Sequence, residues 1–265
     1  MDNTKIEWAD MTWNPVTGCR HGCPYCYARR TAQRFQGISA DITQPFHRMT
    51  EMEGGLRELE EPMKKRRQDG KIVPAPYPFG FEPTFHRYRL CVPARKQKPR
   101  NIFVCSMADL FGKWVPTRWI MEVLDACLQA PWHNYLFLTK NPSRYLQLND
   151  MALLPRQNNF WYGTTATQEG QPYFFSEYHK TFVSVEPMTG PLLPSEVGLA
   201  VDWVIVGAET GPRPNKVVPK REWVQYLADS CRLEGVPLFM KDNILNVWGG
   251  PPIREVPEEL QRRQE

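Results

Sequence analysis

The sequence predicts one large α/β domain, a partial or near-complete (β/α) TIM-like barrel, on three observations. Short, nearly continuous apolar runs recur from residue 101 onward, helical stripes separate them, and 265 residues is a length that one barrel can use whole. Runs without polar alternation suit strands covered on both faces, and strand–helix–strand order makes the sheet parallel.

Taken along the chain, residues 11–16 are expected to form a first strand and residues 27–35 (YARRTAQRF) the helix after it. Prolines at 45, 62, 74, 76, 78, 83, 93 and 99 oppose regular structure, so residues 37–100 read as a loop-rich insertion in a barrel domain spanning 1–247. Inside the insertion, residues 51–68 carry the composition of a polar helix ending in the solvated run Lys64, Lys65, Arg66 and Arg67. Six strands follow, at 101–106 (NIFVCS), 135–140 (YLFLTK), 160–165 (FWYGTT), 181–186 (TFVSVE), 202–207 (DWVIVG) and 237–241 (PLFMK). Residues 116–130 place Trp119, Ile120, Val123, Leu124, Cys127 and Leu128 at helical spacing, and residues 221–233 do so with Trp223, Val224, Leu227 and Cys231. Residues 248–265 read as a polar, peripheral tail.

A chain that is 42% hydrophobic and 12% aromatic has the material for a sizeable core, which excludes a mostly disordered protein. No run approaches the ~18 apolar residues of a membrane span. Residues 1–10, with Asp2, Glu7 and Asp10, lack a signal-peptide pattern, so the expected compartment is the cytoplasm. A net charge of +4 is compatible with a nucleic-acid partner without identifying one. Seven cysteines is an odd number, and no disulfide framework is expected. Cys91, Cys105, Cys127 and Cys231 are scattered, whereas Cys19, Cys23 and Cys26 fall within eight residues.

Residues 17–27 read TGCRHGCPYCY. Three thiolates on one tight loop can hold three irons of a [4Fe–4S] cube, whose usual complement is four cysteines; the remaining iron keeps an open position for a small molecule. The competing reading is a structural zinc site completed by His21 or a distant cysteine, which would make the chain a non-catalytic, zinc-stabilised binding module. Zinc sites usually come as two C-x2–4-C pairs, and no second pair follows here.

Reactive groups of parallel barrels sit where the strands end. Ser106 and Asp109, Thr139 and Lys140, Thr164 and Thr165, Glu186, Glu209, and Lys241 with Asp242 all fall at such ends. N-capping of the following helices explains Ser, Thr and Asp equally well. Glu186 and Glu209 terminate apolar runs and are expected to face the pocket, as ligands of ribose hydroxyls or substrate, or else as ion pairs with Lys140, Lys241 or Arg213. Cys105, next to Ser106, is read as core. His86, Arg87, Arg89, Arg95, Lys96, Lys98 and Arg100, interleaved with Tyr77, Phe85 and Tyr88, suit either a nucleic-acid surface or an ordinary solvated loop. A base would have to be unpaired or flipped to react.

The cysteine spacing, with Tyr25 just before the third thiol, resembles the defining motif of the radical S-adenosylmethionine superfamily. Residues 13–27 (WNPVTGCRHGCPYCY), 101–112 (NIFVCSMADLFG), 137–142 (FLTKNP), 184–191 (SVEPMTGP) and 203–214 (WVIVGAETGPRP) together look like a phage and prophage family of that superfamily, DUF5131-like, with no established reaction. The resemblance implies a [4Fe–4S] cluster on Cys19, Cys23 and Cys26, with S-adenosylmethionine chelating the open iron. Reductive cleavage then gives methionine and a 5′-deoxyadenosyl radical, which abstracts hydrogen from a substrate. It implies an electron donor such as flavodoxin or ferredoxin. Nucleic acid or nucleotide is the substrate class expected, with a peptide or protein as the alternative. The superfamily commonly carries Gly-Gly-Glu after its second strand; this chain has Ser106-Met107-Ala108-Asp109. By similarity to spore photoproduct lyase, Ser106 and Asp109 would receive the methionyl ammonium, Lys140 its carboxylate, and Thr164 or Thr165 the carboxylate or ribose. Tyr25, Glu186 and Glu209 complete the expected cofactor site.

Replacing any one of Cys19, Cys23 or Cys26 with alanine should abolish the iron and sulfide content of anaerobically reconstituted protein, while Cys91→Ala should not. Unchanged metal content in the three variants would refute the motif's role.

Overall fold

The computed structural model describes residues 4–36, 49–192 and 199–261. The expectations for residues 1–3, 37–48 and 262–265 lie outside that set. In chain order the elements are β1 (Met11–Trp13), β2 (Val16–Thr17), α1 (Tyr27–Phe35), β3 (Met49–Met52), β4 (Leu56–Leu59), β5 (Lys64–Arg66), β6 (Ile72–Pro74), β7 (Thr84–His86) and β8 (Asn101–Val104). They continue with α2 (Thr117–Leu128), β9 (Asn134–Thr139), α3 (Ser143–Asp150), β10 (Phe160–Thr165), β11 (Lys180–Val185), β12 (Trp203–Val206), α4 (Arg221–Glu234), β13 (Leu238–Met240) and α5 (Leu245–Trp248).

Seven strands form one sheet in the order β1-β8-β9-β10-β11-β12-β13, every neighbouring pair parallel. It curls into a half barrel whose end strands, β1 and β13, do not pair. Side chains alternate across each strand. One set, including Ile102, Val104, Tyr135, Phe137, Phe160 and Tyr162, packs on Trp119, Ile120, Val123 and Tyr145 of α2 and α3. Farther along, Val183, Val204, Val206 and Met240 pack on Val224, Leu227 and Cys231 of α4. The alternate set, Phe103, Leu136, Trp161, Phe182, Trp203, Ile205 and Phe239, meets Trp8 and Leu260 on the opposite face. These rings fill the hollow of the curl. Gly163 is in register with Phe182, and a Cβ there would stand 2.2 Å from the Phe182 ring, so the plug needs a residue without one.

Residues 51–68 do not form the expected helix. β3 pairs antiparallel with β4, β4 pairs parallel with β7, and β7 pairs antiparallel with β2, giving a four-stranded sheet β2-β7-β4-β3 beside the β5–β6 hairpin. The insertion is therefore more regular than its prolines suggest. A buried carboxylate fastens it to α2: Glu58 accepts from Trp119 Nε1, from Arg118 and from Arg87. The expected strand at 11–16 is divided, because β1 joins the large sheet and β2 the small one. The cysteine loop follows directly at that crossing.

Nor is the tail peripheral. Trp203 Nε1 donates to Glu255 O, Asn101 Nδ2 donates to Leu260 O, and Leu260 is buried among the interior rings. Residues 251–261 thus help cover the open side between β13 and β1. Among the described residues no helix is long and apolar enough to cross a membrane.

Burial holds His86, His133 and His179 below the ordinary histidine value of 6.5. The unfolded chain takes up these protons more readily, so the stability they contribute is full above that value and is lost as pH falls below it. Urea denaturation at about pH 7.5 and about pH 5.5 should show a loss of at most about 1.4 kcal/mol per pH unit for each histidine. His86→Gln should shrink the loss, and an unchanged slope in that variant would contradict this origin.

Candidate functional site

A cavity of about 610 Å³ opens at the carboxyl ends of the parallel strands, a volume in the ordinary range for ligand sites. Cys19, Cys23, Tyr25 and Cys26 line it from the cysteine loop, Ser106, Asp109 and Lys140 from the ends of β8 and β9, and Thr165, Ser184, Glu186, Glu209 and Lys241 from the far wall. A larger hollow of about 1150 Å³ lies between the amino-terminal segment, α4 and the tail, and holds none of the three clustered thiols.

The cysteine loop is tied down along its length. Gly18 N–H donates to Met107 O (2.9 Å), Cys19 N–H to Phe81 O (3.2 Å), and the Tyr27 hydroxyl to Ser106 O (2.7 Å). Gly18 has φ of 88°, and a Cβ there would meet Glu82 O at 2.3 Å, so glycine is required where the loop leaves the small sheet. Cys26 caps α1, its Sγ accepting Arg29 N–H at 3.3 Å. Arg29 also donates to Cys19 O and lies over the Phe81 ring. Burial pushes the Cys19 thiol up to about 12. Among the described residues no group of three His, Cys, Asp or Glu side chains is gathered round a single-ion position. The thiolates of a cube bind different irons and need not converge on one point.

Lys140 extends over the Tyr25 ring, with Nζ 5.4 Å from its centroid. Burial pulls its ammonium below the ordinary lysine value, opposed by Cys23, Asp109, Cys19 and Cys26. The lining carboxylates are already engaged. Glu186 pairs with Lys241, Glu209 with Arg213 (2.6 Å) and Glu7 with Arg254 (2.7 Å), while Asp242 also meets Arg254. The Arg213 guanidinium holds the Glu209 carboxyl below the usual range. Among the described residues, Lys140 is thus the half-buried lysine of the cavity whose ammonium makes no carboxylate ion pair; Lys5, also on the lining, is exposed.

Several expected roles change. Asp109 accepts from His21 Nε2 (2.6 Å), Thr139 Oγ1 (2.8 Å), Lys140 N (2.9 Å) and Phe111 N (3.0 Å), which uses the roughly four lone-pair directions of a carboxylate and leaves none for a ligand ammonium. Ser106 Oγ donates to Asn14 Oδ1 (3.2 Å). Thr164 points away from the cavity, fully buried and accepting Phe174 N–H, whereas Thr165 lines it. Cys105 belongs to the helix-side core, as expected. His21 is neither free nor gathered into a metal group. Its bond to Asp109, those of Asn14 and Tyr27 to the Ser106 turn, and the acceptance of Ala208 N–H by Asn243 Oδ1 (2.9 Å) each join segments far apart in sequence, and only the WNP and CY steps mark two of them.

The basic and aromatic residues of the insertion are spent on the fold. Phe85 and His86 are buried, Arg87 pairs with Glu58, Glu60 and Glu122, and Arg89 donates to Asn14 O and Pro76 O. Arg95, Lys96, Lys98 and Arg100 precede β8 and so approach the amino ends of the strands, opposite the cysteines.

The profile of one family, described as Protein of unknown function (DUF5131), matches residues 3–251. The chain belongs to that family. Comparison with curated proteins and with solved structures returned no match.

Gly207 lets the Glu186–Lys241 pair lie across the end of β12, since a Cβ there would stand 3.2 Å from Lys241 Cδ and 3.4 Å from Glu186 Cδ. Lys241→Met should cost about 1 to 3 kcal/mol by leaving Glu186 unpaired, and Glu186→Gln in the same chain should recover most of it. A double-mutant cycle in urea measures this; strictly additive losses would show that the pair carries no coupling.

Proposed function

We propose that the chain is a radical S-adenosylmethionine enzyme whose [4Fe–4S] cluster is held by Cys19, Cys23 and Cys26. The observation that carries the reading is the placement of all three thiols on one loop, at the carboxyl edge of a curled parallel sheet, facing a cavity in which the half-buried Lys140 ammonium lies over Tyr25 of that loop. When bound, such a cluster supplies the electron that splits S-adenosylmethionine into methionine and a 5′-deoxyadenosyl radical able to take hydrogen from substrate.

The chain's own residues supply the rest. The Cys19 thiol, neutral in the metal-free protein, releases its proton as the loop takes up iron. Cys26 is held at the start of α1 by the Arg29 amide. Lys140 receives a carboxylate, the one charged group of the cofactor for which the cavity has a vacant counter-charge. Tyr25 keeps that ammonium near the thiols. Thr165 and Ser184, in register on β10 and β11, offer neighbouring hydroxyls to ribose or substrate. Glu186 and Glu209 hold the far wall through their ion pairs and exclude bulk water. A cavity of this size takes one residue-sized group of the substrate. Exposed Arg20, Arg30 and Arg34, on the cysteine loop and α1, give the rim cations for a nucleic acid whose target nucleotide is unpaired.

Anaerobic protein reconstituted with iron and sulfide should release 5′-deoxyadenosine from S-adenosylmethionine on addition of dithionite. Lys140→Met should weaken S-adenosylmethionine binding about ten-fold, the loss of one charge-assisted bond. Colourless protein holding one zinc would replace this reading by a zinc-stabilised binding module. Single-stranded DNA and RNA should bind with an affinity that falls steeply with salt, and absence of binding at low salt would turn the search to peptides.

A further inference from the structure

We infer that Asp109 is a positioning residue: through His21 its carboxylate latches the cysteine loop to the ends of β8 and β9, and holds Lys140 in place beside the thiols. The latch rests on geometry alone, and its consequence for the cluster rests on the proposed function. Four donors from three segments converge on one buried carboxylate. Phe111 N and Thr139 Oγ1 occupy Oδ1, fixing the side chain to its own turn and to β9. His21 Nε2 and Lys140 N share Oδ2.

That shared oxygen makes the arrangement specific. His21 lies between Cys19 and Cys23, and Lys140 carries the ammonium that faces the loop, so a shift of the loop relative to β9 must break one of the two bonds. A buried anion with four donors is costly to disturb, because any donor lost leaves charge uncompensated. His21 is also braced by the edge of Trp114, with ring centroids 4.8 Å apart at 76°. The carboxylate that the sequence suggested for a ligand's ammonium is here consumed in joining two parts of the site.

The test uses full-length protein carrying Cys91→Ser, to remove an exposed thiol, in metal-free form. N-ethylmaleimide labelling of Cys19, Cys23 and Cys26 is followed by mass spectrometry. His21→Phe keeps a ring beside Trp114 but removes the donor, and should speed labelling about ten-fold, equivalent to about 1.4 kcal/mol. His21→Gln, which keeps a donor, should restore most of the protection. Far-ultraviolet circular dichroism should match the parent for both. After anaerobic reconstitution, His21→Phe should hold less iron and sulfide per chain, and the electron paramagnetic resonance change produced by S-adenosylmethionine should be lost and then regained in His21→Gln. Should His21→Phe fail to fold, Asp109→Asn, with a single acceptor oxygen, gives the same readings. Unchanged labelling in a folded variant overturns the latch. Faster labelling in a chain whose parent binds one zinc and no cluster keeps the latch and overturns the enzymatic reading.

Discussion

The filling of the half barrel by aromatic rings decides where ligand can go. Trp8, Phe103, Trp161, Phe182, Trp203 and Phe239 fill the hollow behind the strand ends, and the space beside the thiols lies at the carboxyl edge. Removing one such ring would open a void in close-packed surroundings, at a typical cost of about 3 to 5 kcal/mol. The plug also sets depth: above Phe182 and Phe239 the inward positions turn to Ser184 and Lys241, and the apolar floor gives way to a polar wall.

Charge in that wall is arranged by neutralisation. Acidic groups outnumber lysines among the lining residues, yet each acid has its partner, in arginine, lysine or the donors around Asp109. Among the described residues, the ammonium groups left are those of exposed Lys5 and of half-buried Lys140, the latter on the side of the thiols. Such a cavity favours an anionic group near the cysteine loop and offers paired, hydrogen-bonding side chains elsewhere.

How much of this could be read from sequence depended on whether the cause was local. Buried parallel strands must be apolar on both faces, so the six runs from residue 101 onward spell themselves, and amphipathic α2 and α4 do the same. The three cysteines are local too. The β3–β4 pairing is not: its strands are short and largely polar, and β4 takes its other partner from residues 84–86. Composition therefore suggested a helix. The tail misled for a similar reason, since Ile253, Val256 and Leu260 are isolated apolar residues whose use shows only once the gap they cover is known. Asp109 was found as a site residue and misassigned in role, because its saturation depends on His21 and Thr139, distant on either side.

The open side of the half barrel makes the chamber depend on both flanks of the sheet. Residues 5–8 line the cavity next to residues 241–243, and Glu7 is clasped there by the Asp242 amide and Arg254. Two segments 235 residues apart in sequence thus share one wall. A chain that has formed the cysteine loop still lacks a closed chamber until residues 241–243 and Arg254 dock on residues 5–8.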